Sequence, residues 1–183
     1  YGYTNGCESS QHGIQVRDSE VVGDTIVWTD NSGGHAIYGR RFNVVDNYIN
    51  SSGGNGQNLI YSYYNNENQR GEISNNTIYA QEHQSAIYGD YLDIENNYIN
   101  GRVNTPDGWS NEYSAIESHS HCNIRNNEVI GFRDGVYAES DWSNEITDNY
   151  FEVRRYGVYA NNTQGDHLIE NNVFNRYGSD WSD

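Results

Sequence analysis

The stretch Ile94-Glu95-Asn96-Asn97-Tyr98-Ile99-Asn100-Gly101 returns in variant form along the whole chain. Internal repetition of this kind narrows the choice of fold before any other feature is considered. The runs Ile73 to Ile78, Ile124 to Val129, Ile146 to Phe151 and Ile169 to Phe174 repeat its first six positions, and Val44 to Ile49 and Val21 to Ile26 are looser copies. In each copy an apolar residue is followed five positions later by another, with Asn or Asp at the third position of the gap. A second element alternates with the first and reads small, β-branched, aromatic, small. Examples are Ala36-Ile37-Tyr38-Gly39, Ala86-Ile87-Tyr88-Gly89 and Gly135-Val136-Tyr137-Ala138. Its anchors fall at positions 14, 37, 60, 87, 116, 136 and 158, in steps of 23, 23, 27, 29, 20 and 22. The base period is about 22 residues, with insertions.

Each period holds three short runs in which apolar and polar residues alternate, which is the pattern of strands. No stripe at helical spacing has useful length. Three short strands per turn predict a parallel β-helix, a solenoid whose coils bury their inward residues only by stacking on one another. We therefore expect one all-β domain over residues 1–183, with about seven coils of ~22 residues. Arg176-Tyr177-Gly178 copies Arg155-Tyr156-Gly157, as though an eighth coil began there, with Trp181 placed to plug the last rung. The start at Tyr1 and the absence of a capping helix lead us to expect a segment of a longer protein or assembly, stacking end to end or side by side.

Composition excludes several classes. The net charge is −16, and all ten basic residues are arginine. Such a surface repels phosphates, so nucleic acid is not expected as a partner. No apolar run is long enough for a membrane helix, and none is expected to insert. An acidic, lysine-free surface suits a high-salt habitat; ordinary solubility charge is the alternative. Cys7 and Cys122 fall on different rungs and are expected as free thiols. Glycosylation sequons occur at Asn50, Asn75 and Asn161, the second inside the repeat itself.

This pattern resembles the right-handed parallel β-helix repeats of pectate-lyase-like proteins, over nearly the whole chain. The resemblance implies a turn carrying a stacked asparagine ladder, here Asp24, Asn47, Asn76, Asn97, Asn127, Asn149 and Asn172. Asn tolerates a left-handed turn, and stacked amides can bond from rung to rung. The resemblance also makes the small-Ile-Tyr-small run the first strand of each coil. Ile or Val then points inward, and a small residue (Gly39, Ser62, Gly89, Ser118, Ala138, Ala160) returns inward beside it.

The outward positions of that strand read Gln15, Tyr38, Tyr61, Tyr88, Glu117, Tyr137 and Tyr159. With strands about 4.8 Å apart this is a column of aromatic rings. The next outward column is Arg17, Arg40, Tyr63, Asp90, His119, Glu139 and Asn161. Insertions at 65–70 and 101–113, the second carrying Pro106 and Trp109, border the face. One reading is a groove for a glycan or a neighbouring subunit, lined by Tyr38, Tyr61, Tyr88, Tyr137, Tyr159 and Trp109. The other is that the tyrosines stack on each other and serve the scaffold.

Glu117 interrupts the column, with His119 beside it and Asp90 and Glu139 on adjacent rungs. These four are the candidate catalytic residues of a polysaccharide lyase, epimerase or glycoside hydrolase. Alginate epimerases of this fold carry Asp-Pro-His at the site, where this chain has Glu117-Ser118-His119, and the paired-Asp motifs of polygalacturonases are missing. Only Arg17 and Arg40 are expected on this face as a basic subsite. His119 and His121, two apart on a strand, would point the same way and offer two metal ligands; Glu117 or Asp90 could serve as a third, yet none is assured, so no metal site is assigned. No cofactor is required, beyond weak binding of Ca²⁺ or another cation. The sequence thus favours a non-catalytic module, extracellular, at a cell surface or in a virion, that serves as a rigid adhesive unit.

Overall fold

Apolar residues that alternate with polar ones form strands, and those strands must stack to bury their inward sides. In the computed structural model of the protein, every regular element among the described residues is a strand, and every pairing of these strands is parallel. The structure describes residues 2–3, 12–29, 34–51, 57–63, 65–81, 85–101, 111–139, 142–161 and 165–177. Cys7, Trp109 and Trp181 lie outside them.

The strands form three stacked columns. The first holds Ile60–Ser62, Ile87–Gly89, Asn111–Ser118, Phe132–Ala138 and Tyr156–Ala160. The second holds Gly71–Ser74, Leu92–Glu95, Asn123–Arg125, Glu145–Thr147 and Leu168–Glu170. In the first two coils Ile14–Val22 and Ile37–Val45 run unbroken through both columns, which join into one sheet. The third column runs from Gly2–Tyr3 through Thr25–Trp28, Tyr48–Ser51, Thr77–Ala80, Tyr98–Asn100, Glu128–Ile130 and Tyr150–Val153 to Val173–Arg176.

Register is kept from coil to coil. Ile37, Ile60, Ile87, Ile116 and Val136 follow one another as partners, and each is fully buried. Val44, Ile73, Ile94, Ile124 and Ile146 do the same in the second column. Each such side chain contributes about 1.5–3 kcal/mol by leaving water. In the last described coil the corresponding residues Ile169 and Phe174 are exposed.

The small inward column is observed as expected. Gly39, Ser62, Gly89, Ser118 and Ala138 are buried, while Ala160, in the last coil, is exposed. The interior is narrow there because large side chains turn into the same corner. A Cβ added at Gly89 would lie 2.8 Å from the Ser62 carbonyl oxygen and 2.9 Å from Leu92.

The asparagine ladder is continuous. The Asn76 side chain donates to Asn97 Oδ1 at 2.9 Å, Asn97 to Asn127 at 3.0 Å, and Asn127 to Asn149 at 3.0 Å. Asn47 and Asn172 extend it at either end, and Asp24 joins through its backbone N–H, 2.9 Å from Asn47 Oδ1. Each amide also donates to a buried carbonyl, as Asn97 does to Ile73 at 2.8 Å. The left-handed residue is not the ladder residue, however. It is the one before: Gly23, Asp46, Asn75, Asn96, Asn126, Asp148 and Asn171, with φ between 55° and 68°. The bend at that position turns the next side chain inward, where its amide meets the rung above and the rung below.

Cys122 is buried with a free thiol, in keeping with its expected state. Burial pushes that thiol up to about 11.

Candidate functional site

The outer face of the first strands is built by the register that fills the core. Tyr38, Tyr61, Tyr88, Glu117, Tyr137 and Tyr159 are successive partners, one per coil. Alternate residues of these strands are fixed inside, so these six must point out. All six are half-buried. Tyr61 and Tyr88 stack at 4.7 Å with planes 5° apart, and Tyr38 and Tyr61 stack at 5.6 Å. His12 closes on Tyr38 at 4.0 Å, and Tyr63 packs on Tyr38 at 4.8 Å. Beyond Glu117 the stack resumes with Tyr137 on Tyr159 at 5.5 Å and Tyr156 on Tyr159 at 5.2 Å. The rings therefore spend their faces on one another and turn edges and hydroxyl groups outward.

Glu117 opens a gap in this stack, and charged groups gather there. Backbone bonds continue the pairing one residue past the strand ends. The His119 N–H donates to Gly89 at 3.1 Å and the Glu139 N–H to Ser118 at 3.0 Å. His119 and Glu139 are thereby held on adjacent rungs beside Glu117. One donor atom from each of Glu117, His119 and Glu139 lies within 4.8 Å of the other two. His119 Nε2 is 3.7 Å from Glu139 Oε2 and 2.8 Å from the Tyr88 hydroxyl. Asp90 is turned toward Ser120, 3.4 Å away.

Burial raises the Glu117 carboxyl above its ordinary value; His119 opposes the shift and Glu139 adds to it. Burial also raises Asp90, against His119, Ser120 and His121. The Tyr88 phenol is raised by burial and by Tyr61, Glu117, Asp90 and Glu139, so its hydroxyl stays protonated. Elsewhere on the surface carboxylates are paired with arginine: Asp93 with Arg70 at 2.8 Å, Glu145 with Arg125 at 3.0 Å and Asp18 with Arg41 at 2.6 Å. Among the described residues no arginine reaches ion-pair distance of Glu117 or Glu139.

A cleft of about 140 Å³ adjoins Glu117, lined also by Tyr113, Ser114, Arg133 and Tyr137. Arg133 escapes the sequence reading, which expects only Arg17 and Arg40 on this face. Its strand begins at Phe132, three residues before the small-Val-Tyr-small run, and so brings Arg133 to the cleft. The sequence signal is the parallel between Arg133-Asp134-Gly135 and Arg155-Tyr156-Gly157. Asp134 is fully buried and anchors both arginines, Arg133 Nε at 2.8 Å and Arg155 Nη2 at 3.0 Å.

His121 does not join His119. The strand ends at Ser118 and His121 adopts a left-handed φ of 50°, so strand alternation no longer relates the two rings. His121 instead stacks on Tyr91 at 4.7 Å and lies 5.5 Å from Trp142. The insertion after Ser62 begins by turning inward. Asn65 is buried, and its side chain bonds Arg41 N, Ser62 Oγ and the Asp90 carbonyl oxygen, closing the corner between two columns.

A soft metal ion favours thiolate or thioether ligands. The chain has no methionine, and among the described residues the one thiol, Cys122, is sealed inside. One imidazole and two carboxylates suit a divalent transition-metal ion, so the residues that could hold one are Glu117, His119 and Glu139.

The model of the NosD family, described as periplasmic copper-binding protein, matches residues 4–179. No curated protein and no solved structure gives a significant match. The match spans the stacked strands from Ile14 to Arg176, and NosD is itself a family of periplasmic parallel β-helices. This chain belongs to the NosD family of periplasmic copper-binding proteins.

Proposed function

We propose that the chain is a non-catalytic module of the periplasm or another extracytoplasmic surface. Its ladder-bound coils act as a rigid unit, and its tyrosine column is offered to a glycan or to a neighbouring subunit. The observation that carries this reading is the in-register stack Tyr38, Tyr61, Tyr88, with Tyr137 and Tyr159 beyond the gap. A pre-stacked row loses little side-chain freedom when a partner settles on it, which favours binding. Because the ring faces are occupied, the contact is through edges and hydroxyls, and the partner is a polar surface. The family's description as copper-binding comes to this chain as part of the same proposal.

The test is a glycan-array and turnover screen of the intact chain beside a Tyr88→Ala/Tyr137→Ala double variant. Binding that disappears in the variant, without products, supports an adhesive face. Absence of any binding would return the tyrosines to a purely scaffold role.

A second reading draws on the cleft. Glu117 has a raised carboxyl and shares its cleft with Arg133, Tyr113 and Tyr137, a set of groups suited to proton transfer on a sugar. Under that reading Glu117, His119, Asp90 and Glu139 serve a lyase, epimerase or hydrolase. Product formation abolished by Glu117→Gln would establish it; no turnover of uronan or neutral glycan would end it.

A further inference from the structure

The gap in the tyrosine stack holds an arrangement that neither the scaffold nor a glycan-binding face requires. Two carboxylates on neighbouring rungs crowd one imidazole, while Asp18, Asp93 and Glu145 have arginine partners. Such a concentration of negative charge is costly unless a cation offsets it. We infer that Glu117, His119 and Glu139 form a binding site for a single divalent transition-metal ion, with Cu²⁺ held most tightly. The site deepens the copper part of the reading above and rests on it only for the metal tried first.

The ligand nitrogen is His119 Nε2, which faces Glu139 Oε2 at 3.7 Å. The Tyr88 hydroxyl lies 2.8 Å from the same nitrogen and is displaced when the ion binds. Bonds of about 2.1 Å place two donors on one ion at most about 4.2 Å apart. The present limit of 4.8 Å therefore has to shrink. Glu139 can supply this movement, since its side chain is 47% exposed and free to rotate, whereas Glu117 and the His119 backbone are held by the sheet. Three protein ligands leave positions for water. Imidazole with carboxylate selects transition ions over Ca²⁺, and among these the usual order of affinity puts Cu²⁺ above Ni²⁺ and Zn²⁺.

The experiment is a titration of the intact, metal-free chain with Cu²⁺, followed by calorimetry and by electron paramagnetic resonance, with Zn²⁺ and Ca²⁺ in parallel. The expected result is one Cu²⁺ per chain with hyperfine coupling from one nitrogen, weaker Zn²⁺ binding and no Ca²⁺ binding at the same concentrations. Glu139→Gln lies at the surface and leaves folding intact. It should weaken Cu²⁺ by at least the roughly 10–100-fold that even outer-shell changes cost. His119→Gln should remove the nitrogen coupling, and His121→Gln should retain it. Cu²⁺ binding that survives both Glu139→Gln and His119→Gln unchanged would overturn this site while leaving copper binding by the chain standing. Failure of any ion to bind the wild-type chain would overturn both.

Discussion

At the residue scale, Asn97 shows how one side chain fixes a coil. Its amide donates to Asn127 and to Ile73 O, and its Oδ1 accepts from Asn76 N and Nδ2. Asn97→Ala leaves those partners buried without an equivalent bond, and should cost about 2–4 kcal/mol in urea denaturation. Asn96 and Asn97 are the same residue type, so their sequence alone does not say which one is bent. The loose copy Gly23-Asp24 carries the clue, because glycine stands where left-handed backbone is needed. Glu117 illustrates the opposite balance. Its carboxyl is raised in the folded state, so the folded protein keeps a proton that the unfolded chain releases near pH 4.3. Its contribution to stability is thus fullest below that pH and declines as pH rises through the raised value. Asp90 declines in parallel. Glu117→Gln should flatten part of the fall in the urea midpoint as pH rises above about 4.3, with Asp90 supplying the remainder; an unchanged slope would show that Glu117 is not under this constraint. For Cys122, burial should block alkylation at pH 8 in the native protein and permit it after denaturation, as mass spectrometry can check.

At the element scale, period-two alternation makes the strands and their inward and outward faces readable, because every second side chain is committed to a core with no slack. The tyrosine column and the small inward column follow directly. Gly89 belongs to that second column, and Gly89→Ala should destabilise by about 1–3 kcal/mol through overpacking against Ser62 and Leu92. Thermal unfolding would measure it. What alternation does not reveal is where each strand starts and stops. Arg133 reaches the Glu117 cleft because its strand begins upstream of the repeat motif, and His121 leaves His119 because the strand ends at Ser118. Strand ends are set by the corners, where Asn65 and Tyr91 take over the hydrogen bonding and Tyr91 and His121 turn left-handed. Those corners carry no periodic signal.

At the scale of the whole molecule, the stacked coils convert residues 20 to 31 positions apart in sequence into neighbours, as with Tyr88 and His119 or Glu117 and Tyr137. A solenoid of this kind is stabilised coil against coil. The acidic cluster, the tyrosine stack and the ladder all depend on a single register. Oxidative cross-linking of cysteine pairs tests that register most directly. With Cys7→Ser as background, Tyr61→Cys/Tyr88→Cys places partners on adjacent strands, within reach of a disulfide. Tyr61→Cys/Asp90→Cys offsets them by two residues along the strand. Rapid closure of the first pair and little of the second is the expected result. Preferential closure of the offset pair would contradict the register, and with it the assembly of Glu117, His119 and Glu139.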